Sequence, residues 1–303
     1  MAFDPQQILN SRSALQLASL LGRVMPPRPG HQIADFVADR IAARPDWTVT
    51  EAVRINQWIV SGGSLEREAL QHAVRETLRC SARSLFDLYH YGHDLRACRR
   101  LIVLDSSAQE LTRRQEYGPR GLMLAGLHIS NFDLALQFMC RVGLKALVLT
   151  LPDPQGRFRL QYEMRKKTGM NLVPSSLGAL RQAVKLLQAG GVVLTGIDRP
   201  VPEAGRRPCF FGHPAPLPTH YIQLALKARV PVMIIMTALQ PDGTYRVRTS
   251  DPIDMQPHPD PETEILQNTG RVLQVVEGFI QKIPQQWTVP LPVWPEFLKK
   301  SSQ

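Results

Sequence analysis

Little in this sequence supports metal, disulfide or membrane-spanning chemistry. Its four cysteines, Cys80, Cys98, Cys140 and Cys209, lie far apart and form no C-x-x-C pair. That spacing speaks against a thiolate zinc site and a dense disulfide framework, and it fits a reducing, cytoplasmic setting. No apolar stretch reaches the roughly 18 to 20 residues a bilayer crossing needs, and the start of the chain lacks a basic segment followed by a clean apolar core. The expectation is a protein that neither spans a membrane nor carries an obvious export signal. His90-x2-His93 has a helical spacing suited to metal, but no third ligand stands nearby. G-x-G-x-x-G, P-loop and G-x-S-x-G signatures are absent, which removes the usual nucleotide-binding signals and a serine-dependent covalent intermediate. Internal repeats and low-complexity tracts are missing too.

What is present is an ordinary globular composition: 303 residues, 44% hydrophobic and 20% charged. That length suits one large α/β domain with a helical annex. Lys and Arg outnumber Asp and Glu by 36 to 26, a formal charge of +10. Such a surface favours acidic partners: anionic lipid, a phosphate-bearing cofactor, an acidic carrier protein or nucleic acid. Nucleic acid is the weakest of these, because the basic residues lack aromatic interleaving and recognised motifs.

Up to about Leu101 the periodicity is helical. Ser13 to Met25 is an amphipathic segment ending at Pro26-Pro27, suited either to core packing or to a membrane surface. Ile33, Phe36, Val37 and Ile41 form one helical face, and Leu70, Val74, Leu78, Leu85 and Leu88 predict a long second helix. From Gly121 short β-rich runs alternate with helices. Strands are expected at Leu122 to Leu127, Ala146 to Leu151, Val192 to Ile197, Val230 to Met236 and Tyr245 to Thr249. Helices are expected at Asn131 to Arg141, Arg157 to Thr168, Leu177 to Gln188, Thr219 to Lys227 and Glu264 to Ile283. The fold class that follows is α/β: a mixed, largely parallel sheet flanked by helices, with an N-terminal helical region. Residues 1–100 would form the membrane-proximal helices and 101–303 the core, the two readable as one continuous domain. Ligands of such sheets gather beyond the carboxyl ends of the strands.

There the sequence places Gly126-Leu127-His128-Ile129-Ser130-Asn131-Phe132-Asp133, an H-x4-D arrangement. A histidine with an ordinary pKa of about 6.5 can take a proton from an alcohol, provided its ring is held and the imidazolium stabilised. Asp133 is the candidate for that second role. A structural reading stands beside it: Ser130 as a helix N-cap with Asp133 as its capping-box partner. Asp198-Arg199 reads either as a local ion pair or as a phosphate clamp, and Phe210-Phe211-Gly212 as core plus a turn glycine. Arg165-Lys166-Lys167 reads as a solvated helix face or as a carrier or headgroup patch.

Residues Gly121 to Asp133 resemble the signature of the lysophospholipid acyltransferase superfamily, in its bacterial branch of lipid A late acyltransferases and phosphatidylinositol mannoside acyltransferases. Three further blocks follow in that family's order: Arg165-x3-Gly169, Gly196-Ile197-Asp198-Arg199, and Phe210-Phe211-Gly212-x-Pro214-Ala215. A Pro-x-Gln-Trp close recurs at Pro284 to Trp287, so the likeness runs over roughly residues 14 to 294. Asp133, where many lipid A enzymes carry Glu, leans toward the mannoside type or a related glycolipid group. Thr219-His220-Tyr221 are bulkier than the small residues usual there, and Pro290 to Pro295 replace the Arg-rich ending of lipid A enzymes.

The resemblance implies direct, metal-free transfer of a fatty acyl group from acyl-CoA or acyl carrier protein to a hydroxyl of a membrane glycolipid or phospholipid, with no cofactor. It implies His128 as base with Asp133, substrate contacts at Ser130, Asn131, Arg165, Asp198, Arg199, Phe210, Phe211 and Gly212, and oxyanion donors from backbone near Ser130 or from Arg199. It also implies a peripheral location on the cytoplasmic membrane face, against anionic lipid. A non-catalytic lipid-binding protein and an esterase on the same fold are the competing readings.

Overall fold

A computed structural model describes residues 19–113, 120–152, 156–201 and 203–298. The first eighteen residues, and with them part of the amphipathic Ser13 to Met25 segment, lie outside the described residues.

After a helical stretch at residues 19–24 come α1 (Pro27–Ala42), α2 (Thr48–Val60) and the long α3 (Arg67–Tyr91). Pro27 opens α1, where its missing N–H costs nothing. Small residues let α1 lie close on α3: Gly30 is buried, and a Cβ there would fall 2.1 Å from the Phe86 ring. Arg79 and Arg83 of α3 reach Asp39 and Asp35 of α1 with paired donors. The apolar face read from the sequence therefore divides. Ile41 packs inward beside Ala38, Val74 and Leu78, whereas Ile33, Phe36 and Val37 are exposed.

After α4 (Leu95–Leu101), β1 (Ile102–Leu104) and α5 (Ser106–Arg113), the chain enters the core. Its further elements are β2 (Leu122–Gly126), α6 (Phe132–Arg141), β3 (Ala146–Thr150), α7 (Gly156–Lys167), β4 (Asn171–Pro174), α8 (Leu177–Gln188) and β5 (Val192–Gly196). A two-residue hairpin pair follows, β6 (Cys209–Phe210) and β7 (His213–Pro214), then α9 (His220–Ala228), β8 (Val232–Leu239), β9 (Tyr245–Thr249) and α10 (Pro261–Lys282). The main sheet runs β1-β9-β8-β2-β5-β3-β4, parallel at every pairing except β8 with β9. Its central strands are apolar on both sides, as burial under two helical layers demands. One layer (α2, α8, α9, α10) covers Met123, Ala125, Leu147, Val193 and Ile234; the other, centred on α6, covers Leu122, Leu124, Val148, Leu194 and Ile235.

The expected strands and core helices all form, with ends shifted by at most three residues and those of Leu177–Gln188 and Tyr245–Thr249 unchanged. The Pro-rich end folds back over the core. Asn56 Nδ2 donates to Val289 and Leu291 carbonyls, Val293 N donates back to Asn56 Oδ1, and Trp294 is fully buried. The front helices and the core are thus tied by side-chain hydrogen bonds to the same C-terminal segment. Among the described residues no helix is long and apolar enough to cross a membrane.

Candidate active site

The site is built where β2 and β5 end side by side. Their register pairs Gly126 with Gly196, and Ile197 N donates to Gly126 O at 3.2 Å. Each strand is followed by one apolar residue and then a polar one: Leu127-His128 and Ile197-Asp198. Continued register sets those two polar residues together. His128 Nδ1 lies 2.5 Å from Asp198 Oδ1, and the His128 backbone N–H donates to Asp198 Oδ2 at 2.8 Å. Trp287 Nε1 donates to the same Oδ2 at 2.9 Å. Asp198 is fully buried with its oxygens satisfied, the condition under which a buried carboxylate stays ionised.

The C-terminal return fixes this loop from outside the sheet. Ser130 N donates to Gln286 O and Thr288 N to His128 O, an antiparallel bridge centred on Ile129 and Trp287. Gln286 in turn pairs both its amide groups with Leu239 at the end of β8. Ser130 is held at φ 51, a left-handed conformation uncommon for a residue with a side chain. Held strain of this kind clusters at functional sites. Gly196 matters for space: a Cβ there would stand 3.0 Å from His128 Cε1.

Protonation follows from these contacts. A carboxylate only accepts, so His128 Nδ1 carries the proton and Nε2 keeps its lone pair. Burial, aided by the positive charge of Arg199, holds the imidazole below its ordinary pKa despite the adjacent carboxylate. Burial alone would raise Asp198, but the His128 pairing and its hydrogen bonds hold it below the usual carboxylate value. The combination is a neutral base backed by an anion, ready to take a proton through Nε2.

This corrects the role expected for Asp133. Its carboxylate receives Arg165 Nε at 2.7 Å, Arg165 Nη2 at 3.0 Å and Gln137 Nε2 at 3.1 Å. The reason is helical geometry: Asp133 lies in the first turn of α6 and points toward α7, while the His128 ring turns toward β5. Ser130 is corrected as well. The N-cap of α6 is Asn131, whose side chain accepts from Leu134 N and donates to Ser84 O.

A cavity of about 570 Å³ opens beside His128, lined mainly by apolar side chains such as Leu127, Ala135, Leu136, Met139, Val148 and Ile235. Arg165 and Arg199 line it as well, and Arg165 stands 6.0 Å over the Phe132 ring. A smaller polar pocket of about 70 Å³ shares Phe132 and Arg199 with it and adds Ser130, Asn131 and Asp133. Lys166 and Lys167 are exposed, as a solvated helix face would be.

Phe210, Phe211 and Gly212 line neither cavity. Phe210 is fully buried and stacked on Trp294, while Phe211 and Gly212, both at positive φ, form the tight turn between β6 and β7. They support the C-terminal return instead of walling the cleft. Trp287 as a partner of Asp198 escaped sequence reasoning. The equal offset of His128 and Asp198 from strand-end glycines was the available clue to their pairing.

Among the described residues no cluster of three metal-ligating side chains occurs. A search of curated proteins returns no match. The profile of the bacterial lipid A biosynthesis acyltransferase family matches residues 104–295, a span that takes in strands β2 to β9, both members of the His128–Asp198 pair and Trp287. With nearly two thirds of its length matched, the chain belongs to that acyltransferase family, whose members act on lipid.

Proposed function

We propose that the protein transfers a fatty acyl group from an acyl thioester, acyl-CoA or acyl carrier protein, to a hydroxyl of a membrane glycolipid or phospholipid. The observation that carries this is a buried His128–Asp198 pair opening into an apolar cavity of about 570 Å³. That volume lies within the range of small-molecule sites. His128 Nε2 removes the hydroxyl proton as the oxygen attacks the thioester carbonyl; Asp198 keeps the ring in the right tautomer and offsets its positive charge. Arg199, which lines the cavity, stabilises the oxyanion, and collapse of the intermediate expels the thiolate, which takes up the proton.

His128→Ala tests this. Acyl transfer in a lipid extract should fall by about a thousandfold or more with the far-UV circular dichroism unchanged, since the backbone N–H of residue 128 and Trp287 Nε1 still hold the Asp198 carboxylate once the imidazole is gone. Activity within a few-fold of the unaltered protein would overturn the assignment.

We further propose docking on an anionic membrane surface. Leu20, Val24, Ile33 and Phe36 are 59%, 72%, 50% and 58% exposed, and exposed Arg23, Arg28 and Arg40 are interspersed with them or flank them in the sequence. Apolar insertion supplies most of the affinity, and each arginine near anionic lipid adds on the order of 1 kcal/mol. Val24→Asp with Phe36→Asp should abolish co-sedimentation with anionic liposomes, and high salt should only weaken it. Unchanged sedimentation of the double variant would mean that this face is not the docking surface.

A further inference from the structure

The cavity does not stay on one side of the sheet. Pairing of β3 with β5 stops at Val148 and Leu194, although both strands run on by two residues, to Thr150 and Gly196. Beyond that fork the cavity takes its lining from both strands, including Leu149 and Thr195. Leu149 packs in the layer of α8 and α9, opposite the face that Val148 and Leu194 share with α6. The fork therefore gives the cavity a branch toward α8 and α9, where Leu180, Pro218 and His220 complete the lining.

In this branch two polar groups, His220 and Thr195, stand side by side. His220, in the first turn of α9, stands with Nε2 3.5 Å from Thr195 Oγ1, at the outer limit of a hydrogen bond. Burial holds the His220 imidazole below its ordinary pKa, so the ring is neutral and offers one donor and one acceptor. The Thr195 hydroxyl offers the same pair. The lining arginines, Arg165 and Arg199, both act on His128 and belong to the reaction centre. A plain hydrocarbon filling the branch would expel water and leave His220 and Thr195 with, among the described residues, only their long mutual contact, an unfavourable end state for buried polar groups. An oxygen on the chain that both donates and accepts would complete both. Neutral partners suit a hydroxyl better than a carboxylate.

We propose that the acyl chain this enzyme accepts carries a hydroxyl, read by His220 and Thr195 in the branch that passes between β3 and β5. This rests on the acyl-transfer reading above and narrows its donor to hydroxylated acyl thioesters. Sites built to bond a substrate hydroxyl discriminate strongly against the analogue lacking it.

The test is calorimetric binding of palmitate and its positional hydroxypalmitate isomers to the full chain, below micelle-forming concentrations. At least one hydroxylated isomer should bind about tenfold tighter than palmitate, and that ratio should collapse toward one in both Thr195→Val and His220→Leu. Thr195→Val is near-isosteric, so the test stands even if the histidine variant folds poorly. Palmitate binding as tightly as every isomer, or a preference that survives Thr195→Val, would overturn the inference while leaving acyl transfer intact. Failure of all the fatty acids to bind would instead remove the acyl-chain reading of the cavity itself.

Discussion

Asp198→Asn is expected to cut kcat/KM for acyl transfer by on the order of a thousandfold while the protein stays folded. An amide at this position can still accept a hydrogen bond, but it no longer compensates the imidazolium, and it can turn its NH₂ toward Nδ1 and trap the wrong tautomer. The pH profile sharpens the expectation. The base must be neutral to act, so activity falls as pH drops through the folded pKa of His128, which already lies below the ordinary value of about 6.5. Removing the carboxylate removes the contribution that raises that pKa. The acid limb of Asp198→Asn should therefore move to lower pH while its plateau drops. A variant with an unshifted limb and near-normal plateau would show that Asp198 does not act through His128.

Asp133→Ala should act on stability. The Asp133 side chain is 4% exposed and that of Arg165 19%, and two donors of the guanidinium engage the carboxylate. Removing one partner strands a largely buried cation, which typically costs about 3 to 5 kcal/mol. Urea unfolding should show a loss of that size, with much of it recovered in Asp133→Leu combined with Arg165→Met, where no charge is left unpaired. The milder Asp133→Asn should leave the acid limb of kcat/KM in place, since Asp133 bonds Arg165 and Gln137 and not the His128 ring. A loss below about 1 kcal/mol in Asp133→Ala would reduce the pair to the weight of a surface salt bridge.

The two aspartates show where local pattern stopped being informative. Helix and strand positions were legible because their signal is local: the 3.6-residue spacing of Val74, Leu78, Leu85 and Leu88, and the short apolar runs ending at Gly126 and Gly196, each record which face is buried. The α/β class follows from the alternation of those runs, and His128 stands out because a titratable residue at a strand's carboxyl end is open to ligand. Nothing in an H-x4-D spacing tells that the acid turns away. Asp133 is five residues from His128 in sequence, yet its partner is Arg165 on α7, whereas Asp198, seventy residues distant, meets the imidazole.

That choice depends on β5 inserting between β2 and β3, a strand order which sequence adjacency does not encode. The same holds for the support of the site: Trp287 reaches Asp198 only because the C-terminal segment bridges back across Ile129, and Phe210 serves that return by stacking on Trp294. The fork between β3 and β5, which brings Thr195 and His220 to one cavity, is likewise a property of strand pairing. The elements, the fold class and the candidate base were thus legible in the sequence, because each rests on contacts between near neighbours. The base's partner, the shape of the cavity and the residues that hold both were decided by the tertiary structure, because each rests on register between strands far apart in the chain.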